Sequence, residues 1–237
     1  MQDRYAGDVG DFGKFGLLKA ITSTNLKLGI NWYLTENENH NDDGKHMTNS
    51  TKDYCKCDLL LAKALEAIAN SDRSVHNLEK LNLIPNATYF NERLIVPTPT
   101  NNNRMLWHHN SMEKLKDCDI VFLDPYNGLI VKSVGKASKK SVKYVFKEEI
   151  IDYFSRGQSV IFYNHRKRLK EDVYFNEYSE FFNQPYFKEI TWYALTFNKG
   201  TLRDYFILSQ TKHNKKINEA INKLLNSEWN KVFKRSK

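Results

Sequence analysis

Hydrophobic positions along this chain alternate between short continuous runs and longer stretches with helical spacing. Runs typical of buried strands occur at 29–35, 87–96, 119–123 and 159–163. Apolar residues recur at helical spacing in 58–70, 143–155, 174–182 and 216–225, and Asp58 is placed to cap the first of these helices. A shorter helix is predicted at 110–115. The alternation predicts an α/β fold with a doubly wound, mostly parallel sheet.

The last third of the chain departs from this alternation. Two apolar runs, 190–197 and 202–209, flank the turn-forming sequence Asn-Lys-Gly-Thr at 198–201, which is typical of an antiparallel hairpin. We therefore expect the sheet to end in a C-terminal antiparallel hairpin followed by a closing helix. The length of 237 residues suits a single domain over 1–237, with a possible small helical insert at about 48–86.

The run from Asp119 to Gly128 ends abruptly in Asp124-Pro125-Tyr126-Asn127. A run of Ile, Val, Phe and Leu bounded by turn formers is typical of a strand that is buried on both faces, so Asp124 should emerge at its carboxyl end. Ligands of open α/β sheets bind at that edge. The sequence therefore predicts a functional site around Asp124.

A glycine-rich segment lies near the start of the chain. Residues 6–16 hold four of the ten glycines and lead into an apolar run at 17–21. This pattern predicts a helix that begins after the glycines, with a backbone open enough to approach an anion or a cofactor edge. No strand precedes the segment, which excludes a Rossmann dinucleotide fingerprint and a P-loop.

The charge of the chain is basic. Lys and Arg number 36 against 28 Asp and Glu, a formal net charge of +8, which favours a nucleic-acid partner. A lysine-rich proteome explains the same excess equally well. If nucleic acid is the partner, we expect the phosphates to contact the cations near the predicted sheet edge, which are Lys139, Lys140, Lys143, Arg166 and Arg168.

Neither a signal peptide nor a membrane span is predicted. The first residues lack an apolar core, and no run approaches the roughly 20 apolar residues of a spanning helix. The three cysteines lack metal-ligand spacing and are expected to be reduced thiols. We therefore expect a cytoplasmic protein with no membrane partner and no metal.

Two segments resemble known methyltransferases. Asp124-Pro125-Tyr126 resembles the Asp/Asn-Pro-Pro-aromatic motif of amino-methyltransferases, and the order of elements is similar to that of class I S-adenosylmethionine-dependent enzymes. Residues 6–14 resemble the opening of the RlmJ family of large-subunit ribosomal RNA adenine methyltransferases, with matches at Ala6, Gly7, Asp11 and Lys14. The resemblance covers most of the chain in element order but few residues in identity.

The resemblance implies a Rossmann-like methyltransferase fold, S-adenosylmethionine as the cofactor, and adenine in RNA or DNA as the substrate. It implies that Asp124 is catalytic and that Lys14 lies at the mouth of the site. An exocyclic amine on a purine is a poor nucleophile, so acceptors from Asp124 and the Pro125 carbonyl would polarise its N–H groups. Tyr126 would stack on a base taken out of its helix.

The resemblance also implies a set of cofactor contacts, at Gly7, Asp8, Thr35, Glu36 and Asp124. In the family, the first strand ends in an Ala-Gly-Ala-Gly loop around the methionine part of the cofactor. This chain has Thr-Glu-Asn-Glu-Asn at 35–39 instead, so Glu36 or Glu38 would have to contact the cofactor's ammonium or ribose.

Two alternatives keep the fold without methyl transfer. A nucleic-acid-processing or defence-associated protein could use Asp124, Glu36, Glu38 and His165 as a metal-dependent phosphodiesterase site. A non-catalytic nucleic-acid-binding module would bind in a salt-sensitive manner that does not depend on Asp124.

Overall fold

The structure, a computed structural model, describes residues 1–38, 46–98 and 103–237. The polar run at 36–46 and the asparagine run at 101–103 therefore lie partly outside the described residues. The helices are α1 Val9–Thr22, α2 Leu59–Ala69, α3 Val75–Lys80, α4 Arg104–Lys114, α5 Lys147–Ser155, α6 Glu171–Phe182 and α7 Thr211–Leu225. The strands are β1 Leu28–Asn31, β2 Thr88–Phe90, β3 Ile120–Leu123, β4 Gly128–Leu129, β5 Tyr144–Val145, β6 Ser159–His165, β7 Thr191–Phe197, β8 Arg203–Ser209 and β9 Phe233–Arg235. Short 3-10 helices span Asp3–Tyr5, Asp53–Asp58, Lys139–Lys143 and Glu228–Lys231.

Seven strands form one sheet in the order β2-β1-β3-β6-β8-β7-β9, and β4 and β5 form a separate pair. The ladders joining β2, β1, β3 and β6 are parallel, whereas β8 is antiparallel to both β6 and β7. β9 is antiparallel to β7, so five of the seven strands run in one direction and only β8 and β9 run in the other. The sheet is thus mostly parallel with a C-terminal antiparallel hairpin, which confirms the predicted fold class. The predicted hairpin is the β7–β8 pair.

Helices cover both faces of this sheet. Ile120 and Phe122 of β3 pack into the core shared with α1, α2 and α7, whereas Val121 and Leu123 pack into the core under α4, α5 and α6. All four residues are fully buried. A strand that is buried on both faces is typical of a doubly wound sheet. It explains why the run before Asp124 is continuous rather than alternating.

Helix α1 begins earlier than the sequence predicts. It starts at Val9, with the Asp8 carboxylate accepting a hydrogen bond from the Asp11 amide at 2.9 Å, so three glycines lie inside the helix. Gly10, Gly13 and Gly16 share one face, where added Cβ atoms would lie 2.9 Å or less from the side chains of Arg203, Phe197 and Trp229. The glycines therefore allow close packing of α1 on the C-terminal half of the chain. They do not form a loop.

The predicted elements β1 and β2 are shorter in the structure. β1 ends at Asn31 instead of 35, and Tyr33 has a φ of 46° that takes the chain out of the sheet. Within the described part of the chain, β2 lies at the edge of the sheet and pairs only with β1, and this ladder ends at the Asn31–Phe90 pair. By contrast, α4 is longer than the predicted 110–115. The predicted cap of α2 is confirmed, because Asp58 accepts a hydrogen bond from the Leu61 amide.

The segment predicted as a helical insert, about 48–86, contains the 3-10 helix Asp53–Asp58 together with α2 and α3. Over the described ranges, no helix has both the length and the apolar character needed to cross a membrane.

Candidate active site

A cavity of about 360 Å³ opens at the carboxyl ends of β3 and β6. Asp124, Pro125 and Tyr126 line it from the end of β3, and Lys14 lines it from α1. The structure therefore brings together all four residues that the sequence predicts as catalytic. Their convergence follows from the topology, because α1 packs over the sheet edge at which β3 ends.

A buried charge cluster forms the floor of the cavity. The Lys14 ammonium lies 2.7 Å from Asp124 Oδ2 and 2.7 Å from Asp11 Oδ1, and all three side chains are at most 6% exposed. Asp11 and Lys14 are three residues apart on one helix and so share a face. Burial raises the pKa of Asp124, although Lys14 opposes the rise. Burial lowers the pKa of Lys14, but the two carboxylates outweigh it and the net pKa is raised.

Asp8 extends this cluster at the N-terminus of α1. Burial and the neighbouring Asp11 raise the pKa of Asp8 to about 6. The Arg203 guanidinium acts in the other direction, but its Nη2 is 4.0 Å from Asp8 Oδ2. A carboxyl group with a raised pKa that lines a cavity is a feature of ligand-binding and catalytic sites.

The opposite wall comes from β6 and β8. Tyr163 pairs with Tyr205 and His165 pairs with Arg203 in the antiparallel register, and all four residues line the cavity. Side chains two positions apart in a strand point to the same face, so the two pairs lie side by side. The Tyr205 hydroxyl is buried and has no hydrogen-bond partner among the described residues.

Tyrosine rings flank the entrance. The ring of Tyr126 lies 5.4 Å from that of Tyr5, and the Lys143 ammonium lies 4.8 Å from the Tyr126 ring centre. Lys143 also contacts the Glu38 carboxylate at 2.7 Å. Lys143 thus lies beside Tyr126 at the cavity.

The end of β1, where the resemblance implies the cofactor loop, is occupied by the first residues of the chain. The Met1 amino group donates hydrogen bonds to the carbonyl oxygens of Tyr33 and Asp124 at 3.0 and 3.1 Å, and burial lowers its pKa to about 5. The Thr35 amide donates to the Met1 carbonyl at 3.0 Å.

The five predicted cofactor residues do not share one site. Asp8 and Asp124 line the cavity. Thr35 binds the Met1 backbone, and Glu36 is exposed and lies 3.7 Å from Arg93. Gly7 packs on α2, where a Cβ would lie 2.6 Å from the Leu65 carbonyl oxygen.

The predicted phosphate contacts differ in their surroundings. Lys139, Lys140 and Arg168 are exposed. Arg166 instead forms two hydrogen bonds with the Asp204 carboxylate, at 2.6 and 2.7 Å, and its guanidinium lies over the Tyr174 ring. Asp204 is fully buried, so this pair is part of the hairpin packing.

The residues of the predicted metal site are also divided. Asp124 and His165 line the cavity, whereas Glu36 pairs with Arg93 and Glu38 with Lys143. Within residues 1–38, 46–98 and 103–237, no group of three or more His, Cys, Asp or Glu side chains could hold a metal ion.

Several cavity residues were not predicted from the sequence, chiefly Tyr163, Arg203 and Tyr205. The sequence signal for them is a pair of polar or aromatic residues two positions apart in each strand, at 163 and 165 and at 203 and 205. This spacing places each pair on one face of its strand, but only the register between β6 and β8 brings the two pairs together.

No family model matches the chain, and no curated protein matches it. Among solved structures, the chain is similar to the crystal structure of protein LPL1258 from Legionella pneumophila strain Philadelphia 1, described by the family-model DUF519. The two are 10% identical over 97% of this chain and 96% of that one, with a TM-score of 0.44. This likeness does not bear on activity, so the function is argued from the cavity's own residues.

Proposed function

We propose that the protein transfers a methyl group from S-adenosylmethionine to the exocyclic amine of adenine in RNA or DNA. The observation that carries this proposal is the position of Asp124, a carboxylate at the carboxyl end of a central parallel strand, on the wall of a cavity. Pro125 and Tyr126 follow it directly and line the same cavity. Three consecutive residues thus bring a carboxylate, a backbone carbonyl and an aromatic ring to the wall of one cavity.

Lys14 supports this role by positioning Asp124. The Lys14 ammonium donates a hydrogen bond to Asp124 Oδ2 at 2.7 Å. The other oxygen, Oδ1, can then accept a hydrogen bond from the N–H of the amine. An amine whose N–H groups are held by Asp124 and the Pro125 carbonyl has its lone pair directed away from them. Removing water from this acceptor strengthens the interaction, since Asp124 is only 4% exposed.

The cavity wall suits the cofactor chemically. S-adenosylmethionine supplies an electrophilic methyl group on a sulfonium, and it carries an ammonium, a carboxylate and an adenine ring. Asp8 and Asp124 complement the cations, and the tyrosines offer ring faces. The unpartnered Tyr205 hydroxyl supports a polar ligand here. Gly7, Thr35 and Glu36 do not take part in this fit.

A second candidate is a nucleic-acid-binding module without methyl transfer. The observation that favours it is the position of Met1, whose amino group is hydrogen-bonded to the carbonyl oxygens of Tyr33 and Asp124 at the end of β1. This is the place at which the resemblance implies the cofactor loop. This candidate predicts nucleic-acid binding that is sensitive to salt and unchanged by Asp124→Ala.

The deciding experiment measures both binding and product. Calorimetric titration with S-adenosylmethionine, with and without adenine-containing RNA or DNA, should show binding, and mass spectrometry of the digested nucleic acid should show N6-methyladenine. Asp124→Asn should reduce the methylation rate at least about 100-fold. Asp119→Asn is the matched control, because Asp119 precedes the same strand at its opposite end. Absence of cofactor binding under all conditions would exclude methyl transfer.

A further inference from the structure

Two arginines beside the β6–β8 ladder, Arg166 and Arg203, are held in very different ways. Both Nε and Nη2 of Arg166 bind the Asp204 carboxylate, and its Nη2 also binds the Thr196 hydroxyl at 2.8 Å. Its donors are therefore satisfied within the protein. Arg203 lies on the cavity wall, and its Nη2 has only Asp8, at 4.0 Å, as an ion-pair partner among the described residues.

The backbone holds Arg203 in place from the other side. Its Nη1 donates to the carbonyl oxygens of Lys199 at 2.8 Å and Thr201 at 3.1 Å. Gly10 makes room for the guanidinium, since a Cβ there would lie 2.9 Å from Nε. Asp8 cannot move freely to meet Nη2, because its Oδ1 caps α1 through the Asp11 amide. The Arg203 guanidinium is thus held in one orientation before a ligand binds, and its Nη2 can still donate a hydrogen bond to that ligand.

A second donor lies on the same face. Tyr205 is two residues along β8, is fully buried and lines the cavity, and its hydroxyl has no partner among the described residues. Leaving a buried hydroxyl without a partner is costly, so such groups usually meet a ligand or an ordered water. Arg203 and Tyr205 both line the cavity, and a guanidinium together with a hydroxyl suits an oxyanion.

We infer that Arg203, assisted by Tyr205, is a specificity-determining residue that binds the phosphate of a nucleotide whose base contacts Asp124 and Tyr126. The identity of the base rests on the proposed function, whereas the anion site rests on Arg203 and Tyr205 alone. The consequence is a preference for nucleotides over nucleosides. An α-carboxylate, such as that of the cofactor, has the same anionic chemistry and is separated from phosphate by the experiment.

The test compares the dissociation constants of adenosine 5′-monophosphate and adenosine by calorimetry. The wild-type protein should bind the monophosphate at least about tenfold more tightly. Arg203→Gln should abolish this ratio and leave adenosine binding within about twofold. Arg203→Lys should keep part of the ratio, because an ammonium cannot form a bidentate contact. Arg235→Gln, on the exposed edge strand β9, is the matched control and should behave as wild type.

A second variant guards against misfolding of the arginine mutants. Gly10→Ala retains every charge but places a methyl group against the guanidinium, so it should lower the ratio as well. S-adenosylhomocysteine is titrated in parallel. If Arg203→Gln weakens its binding and leaves the nucleotide ratio intact, the anion is the amino-acid carboxylate and the phosphate assignment is wrong.

Three further results would overturn the inference: no binding of the monophosphate, equal binding of nucleotide and nucleoside by the wild type, or equal weakening of both by Arg203→Gln. A retained nucleotide preference without any methylated product would instead leave the anion site standing and remove the proposed function.

Discussion

The Lys14 ammonium lies 2.7 Å from the carboxylate of Asp124, a residue 110 positions away in the chain, and 2.7 Å from Asp11 on its own helix. One cation therefore balances two buried carboxylates. Removing it leaves two buried carboxylates without a cation, which is far costlier than breaking a pair in solvent.

We predict that Lys14→Met lowers the free energy of unfolding by about 3–5 kcal/mol, as measured by urea denaturation. The control on the same helix is Lys19→Met, whose partner Asp58 is reached from a side chain that is 40% exposed, and it should cost at most about 1 kcal/mol. Equal effects of the two substitutions would show that the Lys14 cluster is not electrostatically coupled as described.

Asp8 should make stability depend on pH. Its pKa in the fold, about 6, lies above its ordinary value of 3.8, so the folded state binds the proton more tightly than the unfolded chain does. The resulting stabilisation is complete below about pH 4 and is lost as the pH rises through about 6. Asp8→Asn keeps a cap but has no such proton. The variant should gain up to about 3 kcal/mol on the wild type between pH 4 and pH 8 in urea titrations; a constant difference would contradict the prediction.

The glycine face of α1 should resist a substitution that normally stabilises helices. Alanine in place of a helical glycine gains about 1 kcal/mol in propensity. At Gly16, however, the added Cβ would lie 2.2 Å from the Trp229 ring. We expect Gly16→Ala to destabilise the protein by about 1–3 kcal/mol in thermal or urea unfolding. Gly135→Ala, where no atom of the described residues lies within 4 Å of the new Cβ, should be close to neutral.

Two tyrosine-to-phenylalanine substitutions should change the free energy of unfolding in opposite directions. The Tyr205 hydroxyl has no partner among the described residues, so Tyr205→Phe should raise the free energy of unfolding of the ligand-free protein by about 1 kcal/mol. The Tyr193 hydroxyl donates to Asn214 at 2.6 Å, so Tyr193→Phe should lower it by about 1 kcal/mol. A loss of stability on Tyr205→Phe would show that its hydroxyl is already satisfied.

Arg166 and Arg168 should separate stability from nucleic-acid affinity. Arg168→Gln removes an exposed cation and should reduce the slope of binding affinity against salt concentration by about 1, as measured by fluorescence anisotropy. Arg166→Gln leaves the buried Asp204 without its cation and should cost about 3–5 kcal/mol of stability with the slope unchanged. A change of slope on Arg166→Gln would place its guanidinium on the nucleic acid.

Elements that depend on neighbouring residues in the chain could be predicted from the sequence. The buried run before Asp124 fixes a strand and its carboxyl end, and the turn at 198–201 fixes the hairpin. The position of Arg203 on the cavity wall could not be predicted, because it depends on the pairing of β8 with β6, which places Arg203 opposite His165. The position of α1 was mispredicted because glycine was assigned to a loop, whereas here its spacing of three residues matches the tight packing of one helix face.

That packing also ties the charge cluster to residues that do not belong to it. The ring of Phe12 stacks on Trp229 at 4.8 Å, and Gly13 and Gly16 fit against Phe197 and Trp229. The helix that carries Lys14 is therefore held over Asp124 by contacts with β7 and with the 3-10 helix Glu228–Lys231. The geometry of the site thus depends on aromatic side chains that do not line the cavity.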